Sequence, residues 1–161
     1  MQRKSLLINA AKCTGCGICE MVCAIGKEGV VNPSRSRIHV VRWEGQAIAV
    51  PVVCQQCEAA PCLVVCPMSA RRRDQGLGRV TIDYGTCIGC KMCLEACPSG
   101  GVSFDPIAAK VISCDLCDGD PRCVKFCETK AIEYVEASAF GSRRARESAR
   151  KVLEVVQQPA G

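Results

Sequence analysis

From Arg37 to Val53 the chain reads RIHVVRWEGQAIAVPVV, two apolar-rich stretches separated by the polar Glu44-Gly45-Gln46. This pattern predicts two short strands joined by a turn. RRRDQGLGRVTID, residues 71–83, places a Gly-rich turn before another strand, and GGVSFDPIAAKVISC, residues 100–114, predicts strand–turn–strand about Asp105-Pro106. EMVCAIG, LVVCPMSA and LEACPSG predict short helices following the last cysteine of each of three cysteine runs. Near the C-terminus, Ala145, Ala149, Val152, Leu153 and Val156 recur at helical spacing, with Arg143, Arg144, Arg146, Arg150 and Lys151 around the rest. That segment predicts an amphipathic helix. No uninterrupted apolar run approaches the length of a membrane span, so the expectation is an α+β unit from residue 5 to 136 and a helical tail over 137–161.

Composition changes the picture. Aromatic residues make up only 4% of the 161, while sixteen are cysteine. A core so poor in large rings needs another organiser, and this cysteine density means disulfides or metal. The basic start MQRKSLLINAAKC has too short an apolar run for a secretory signal and no twin-arginine pair. A cytoplasmic, reducing setting is therefore expected, and there thiols bind metal.

The cysteines form four groups of four. Cys13, Cys16, Cys19 and Cys23, like Cys87, Cys90, Cys93 and Cys97, have the tight form C-x2-C-x2-C-x3-C; Cys54, Cys57, Cys62 and Cys66, and Cys114, Cys117, Cys123 and Cys127, loosen the middle gap. The tight form is the bacterial ferredoxin run, in which three cysteines hold one [4Fe–4S] cluster and the fourth reaches a neighbouring one. Gly15, Gly17 and Gly89 suit a backbone that must approach a cluster closely. Structural zinc favours two ligand pairs across a longer loop, and so fits less well. Four [4Fe–4S] clusters are expected.

That expectation also revises the charge. The formal net charge is +5 with neutral cysteines, but sixteen thiolates around four oxidised clusters would bring the chain to about −3. Apparent basicity is then weak evidence for a nucleic-acid partner, and none is expected. The chain contains no nucleophile–base pair, phosphate loop or dinucleotide fingerprint. No catalytic residue is assigned, and the expected role is to conduct electrons.

NPSRSRI, VPVVCQQCEAAPC, CIGCKMCLEACP and CDLCDGDPRCVKFC together resemble the ferredoxin-like electron-transfer subunits of complex molybdenum and tungsten oxidoreductases, hydrogenases and carbon monoxide dehydrogenases. They look most like the small subunit that accompanies tungsten aldehyde oxidoreductases. The resemblance spans about residues 5–136. It departs in the short DGDPR loop of the last group and in CETKAI, where Cys-Pro is usual. It implies two interleaved bacterial-type dicluster units: an outer one from residues 13–23 and 114–127, and an inner one over 54–97. It also implies four ligand sets: Cys13, Cys16 and Cys19 with Cys127; Cys114, Cys117 and Cys123 with Cys23; Cys54, Cys57 and Cys62 with Cys97; and Cys87, Cys90 and Cys93 with Cys66. Spacing alone permits sequential pairing equally well.

The implied partner is a catalytic subunit, a tungstopterin aldehyde oxidoreductase first among them. A flavin- or NAD-binding subunit or a ferredoxin would be the second redox partner, and the tail helix could self-associate. A hydrogenase, formate or carbon monoxide dehydrogenase system, and a freestanding polyferredoxin, are the alternatives.

Other residues carry plainer expectations. Arg71, Arg72 and Arg73 read first as a solvated charge run and second as a docking patch. His39, Trp43 and Tyr84 read as structural or packing residues. Asp115, Asp118 and Asp120 crowd the last cysteine group, where nearby carboxylates disfavour adding an electron, so its cluster is expected to be among the harder to reduce.

Overall fold

Leu6 and Ile132, though far apart in sequence, lie fully buried side by side in one core. The computed structural model describes residues 3–136, and its strands form four separate antiparallel pairs. β1 (Lys4–Ile8) finds its partner at the other end of the described chain, β8 (Ile132–Glu136), with Lys4 opposite Glu136 and Ile8 opposite Ile132. The pattern of hydrophobic positions did not single out either strand. The remaining pairs are hairpins: β2 (Ile38–Trp43) with β3 (Ile48–Val53) and β6 (Val102–Asp105) with β7 (Lys110–Ser113) at the expected places, and β4 (Arg71–Arg73) with β5 (Val80–Ile82), of which only β5 was expected as a strand. Strands that short cannot stand alone. They pack against the helices and loops that carry the cysteines.

The helices depart from expectation in position. α2 (Pro61–Val64), α3 (Met92–Glu95) and α4 (Arg122–Lys125) precede the fourth cysteine of their groups and carry the third, at Cys62, Cys93 and Cys123. Proline explains two of them: a residue before proline is disfavoured in the helical region, so Cys66-Pro67 and Cys97-Pro98 end helical structure. Pro61 also starts α2, its fixed φ being helical from the outset. α1 (Ile18–Glu28) confirms the rule by exception. Ala24 follows Cys23 there, so the helix runs through the fourth cysteine and stops at Gly29, whose φ of +71° and N–H bond to Ile25 cap it.

Two buried cores result. One gathers Leu6, Ile38, Val53, Leu116 and Ile132 with five cysteines, under α1 and α4, which pack together. The other gathers Ala60, Val80, Val102 and Val111 with Cys62 and Cys93, under α2 and α3. A nearly buried ionic cluster joins the elements. Glu28 of α1 accepts from Arg37 and, at 2.7 Å, from Arg35, whose Nε reaches the fully buried Asp105 carboxylate at 2.8 Å. Among the described residues no helix is long and apolar enough to cross a membrane. The expected tail helix lies outside the described residues.

Candidate metal centres

Cys13, Cys16 and Cys19 come from the loop into α1 and the helix itself, while Cys127 follows α4. The four line one cavity of about 190 Å³, walled by Ile18, Val40, Pro51 and Ile132. A second cavity is lined by Cys114, Cys117 and Cys123 together with Cys23, and a third by Cys87, Cys90 and Cys93 together with Cys66. In the remaining group the Cys54 thiol feels the charge of Cys62 and Cys97, and Cys62 that of Cys97 and Cys57. In each of the three cavities the thiols come three from one run and one from another, and none of the cysteines is joined in a disulfide.

These thiols fit a polynuclear cationic group. Burial pushes Cys19 and Cys123 up to about 12 and Cys54 up to about 11, and raises the fully buried Cys114 as well. The protein by itself keeps these sulfurs protonated. A metal that takes them as thiolates must supply the positive charge their surroundings lack. Other sulfurs are prepared for charge by the backbone. Burial works to raise Cys66, Cys97 and Cys127, but donors outweigh it. These are the N–H groups of Arg71, Ala70 and Met68 for Cys66, and the Ser99 hydroxyl with N–H groups of Ser99, Gly101 and Val102 for Cys97. Thr129 and the N–H groups of Ile132, Ala131 and Lys130 serve Cys127. The Arg37 N–H also donates to Cys23 Sγ at 3.3 Å, and the Leu116 N–H to Cys114 Sγ at 3.4 Å, where burial still prevails at Cys114. Among the described residues, no three His, Cys, Asp or Glu side chains converge on a point that would hold a single ion. The cysteines surround spaces instead.

Tight loops make that enclosure possible. Gly15 and Gly17 have φ of +74° and +75°, and a Cβ at Gly17 would meet the Arg42 guanidinium at 2.9 Å. Arg42 in turn donates to the Gly15 carbonyl and to Glu20, fixing the loop against β2. At Gly101 a Cβ would lie 2.3 Å from the Cys54 nitrogen, so the loop after Cys97 rests directly on the backbone of another group.

Each acid near the last group has a cation of its own: Asp115 bonds Lys27 at 2.6 Å, Asp118 bonds Arg79 at 2.6 Å, and Asp120 bonds Lys125 at 2.5 Å. The expected carboxylate effect is thus opposed by a positive charge beside each acid. The arginine run also divides. Arg72 is exposed and pairs with Asp83, whereas Arg73 donates to the Cys57 and Glu58 carbonyls and Arg71 is buried against Cys93 Sγ. Period-two alternation in β4 was the available signal, since it must turn Arg71 and Arg72 to opposite faces.

Gln56 carried no such signal. It is 2% exposed, donates to the Cys114 carbonyl at 2.8 Å and accepts from the Val80 N–H at 2.6 Å, tying two cysteine groups and β5 together. Tyr84 bonds the Val111 carbonyl, a packing role as expected, while Trp43 is half exposed.

Comparison with known proteins agrees with this chemistry. The 4Fe-4S dicluster domain family matches residues 46–137. The polyferredoxin-like subunit of an aliphatic sulfonate oxidoreductase from Pyrococcus furiosus is 38% identical over 126 residues, covering 78% of this chain and 72% of that one. The putative electron transport protein YsaA of Escherichia coli is 35% identical over 154 residues, covering 88% and 96%. Among solved structures, a chain of the BamBC active-site complex of benzoyl coenzyme A reductase, determined with zinc, superposes with a TM-score of 0.53. It is 27% identical and covers 98% of this chain and 99% of its own.

Proposed function

This chain belongs to the 4Fe-4S dicluster domain family, a non-catalytic iron–sulfur carrier of electrons, and from that premise we propose that it is a four-cluster electron relay within an oxidoreductase complex. A bound [4Fe–4S] cluster supplies reversible one-electron chemistry. The chain's own residues hold four such groups, insulate them and order them. The observation that carries the reading is the shared cavity of Cys13, Cys16, Cys19 and Cys127, a set drawn from both ends of the described chain.

The ligand sets are Cys13, Cys16, Cys19 and Cys127; Cys114, Cys117, Cys123 and Cys23; Cys54, Cys57, Cys62 and Cys97; and Cys87, Cys90, Cys93 and Cys66. The first two make an outer dicluster unit and the last two an inner unit inserted into it, the interleaving that the family resemblance implies. The sets also have an order. Cys123 feels Cys19 of the first set, Cys114 feels Cys54, and Cys62 feels Cys93. This chain of neighbours leaves the Cys13 set at one end and the Cys87 set at the other. Each end set has one exposed cysteine, Cys16 and Cys90. Electrons enter at one end and leave at the other.

The catalytic partner is a tungsten or molybdenum pterin aldehyde oxidoreductase subunit. The named relatives support a catalytic companion in general: one is a subunit of an oxidoreductase, and the solved neighbour comes from an active-site complex. Anaerobic purification of the native complex tests both halves. Sixteen irons per chain with equal acid-labile sulfide and a co-purifying pterin subunit are expected. Half the iron, or stoichiometric zinc, overturns the cluster count. A fully loaded chain that purifies alone overturns the partner and leaves a freestanding polyferredoxin. Pairing is tested separately: Cys127→Ser should remove the same spectroscopic component as Cys16→Ser, whereas sequential pairing predicts that it spares that component.

A further inference from the structure

Arg71 opens β4 and is only 4% exposed. One of its terminal nitrogens donates to Ser113 Oγ at 2.7 Å and the other to Cys93 Sγ at 3.4 Å. Its Nε is buried with no hydrogen-bond partner. No carboxylate pairs with it among the described residues. The buried Arg37 and the half-buried Arg35 and Arg79 differ: Arg35 and Arg37 share Glu28, and Arg79 holds Asp74. A guanidinium is always charged, and a buried charge without a counter-ion is strongly destabilising. A fold that retains one must present it with negative charge from elsewhere.

Among the described residues the groups beside Arg71 that can carry negative charge are sulfurs and the Tyr84 hydroxyl, which burial pushes up. Cys93 is its direct partner, and Arg71 lines the cavity shared by Cys66, Cys87, Cys90 and Cys93. The cation therefore lies against the Cys87 set, and its field also reaches Cys54 and Cys62 of the other inner set. Thiolate-ligated clusters carry net negative charge that grows by one on reduction. A fixed cation that also hydrogen-bonds a ligand sulfur stabilises the reduced form more than the oxidised form.

Building on the ligand sets above, we propose that Arg71 is a positioning residue for electron transfer: the counter-charge of the inner pair, which raises the reduction potential of the cluster held at Cys93 and draws the electron towards that end. No proton accompanies the electron, because the guanidinium is already protonated.

The test is a resolved redox titration of the whole chain, followed by electron paramagnetic resonance, on the parent, Arg71→Gln and Arg71→Lys. Sixteen irons and four components in the parent verify the ligand sets independently of Arg71, so a failure there is distinguishable from a failure of this inference. In Arg71→Gln one midpoint should fall by at least about 59 mV, a tenfold change in the one-electron equilibrium, with iron content unchanged. Arg71→Lys keeps the charge and should hold the parent midpoint. Unchanged midpoints in an iron-replete Arg71→Gln overturn the proposal. If Arg71→Gln loses iron, Arg71→Lys decides: full iron with the parent midpoint supports a required charge, while a shifted midpoint or lost iron assigns Arg71 to hydrogen-bond geometry and overturns it.

Discussion

Gly101 shows how little room single atoms have around the inner sites. An added Cβ would sit 2.3 Å from the Cys54 nitrogen and 2.6 Å from the Val53 carbonyl carbon, and backbone cannot swing aside as a flexible side chain can. Gly101→Ala should therefore destabilise the chain by about 1–3 kcal/mol or more, with loss of the iron nearest Cys54, measured by thermal unfolding and iron analysis. Gln56 makes the same point through hydrogen bonds. Gln56→Ala strands the Cys114 carbonyl and the Val80 N–H, both buried, at a cost of about 1–3 kcal/mol for each group left unpaired. Denaturant unfolding of the variant measures that loss.

At the level of elements, the β1–β8 pair closes the outer half of the molecule. Leu6 is 0% exposed at its centre, and Leu6→Ala should cost about 2–5 kcal/mol. The loss should fall first on the cluster held between Cys13 and Cys127, since β1 leads into one of these and β8 out of the other. Iron released on mild heating, followed alongside spectra, checks this. α1 contributes a second tie through Glu28. Burial works against the charge of Glu28, but the hydrogen bond and charge of Arg37, with Lys110 and Arg35, outweigh it and hold its carboxyl below the usual glutamate range. A depressed carboxyl stabilises fully above its unfolded value of about 4.3 and loses that contribution as pH falls through the lower folded value. Glu28→Gln should cost about 3–5 kcal/mol near neutral pH, as breaking a buried ion pair does. The gap between parent and variant should stay constant down to about pH 5 and narrow only below the glutamate range.

Across the described residues, exposure divides the four proposed sites into ends and middle. Cys16 and Cys90 are exposed, whereas Cys54 and Cys114 are buried. Oxidants should therefore reach the end sets first. Brief exposure to air is expected to remove about half of the iron in a fast phase, with the Cys114 and Cys54 sets surviving into a slower one. Iron analysis with time-resolved spectra checks it. Four equal phases would mean that the burial of the middle sets confers no protection.

The sequence by itself determined the chemistry, because ligand identity and spacing are local properties. A run of C-x2-C-x2-C-x3-C can wrap a cluster wherever it is placed, and hairpins such as β2–β3 announce themselves through turn residues between apolar stretches. Proline had also written the helix ends into the chain at Cys66-Pro67 and Cys97-Pro98, although only the structure drew attention to that signal. What the tertiary structure decided is everything that depends on residues far apart meeting. β1 finds β8, Cys127 faces Cys13, and Lys27 pairs with Asp115 across 88 positions. Arg71, one of three successive arginines in the sequence, becomes a buried cation against Cys93. Spacing limits what a local segment can bind, but the charge a sulfur feels is summed over space, and only the folded chain sets those distances.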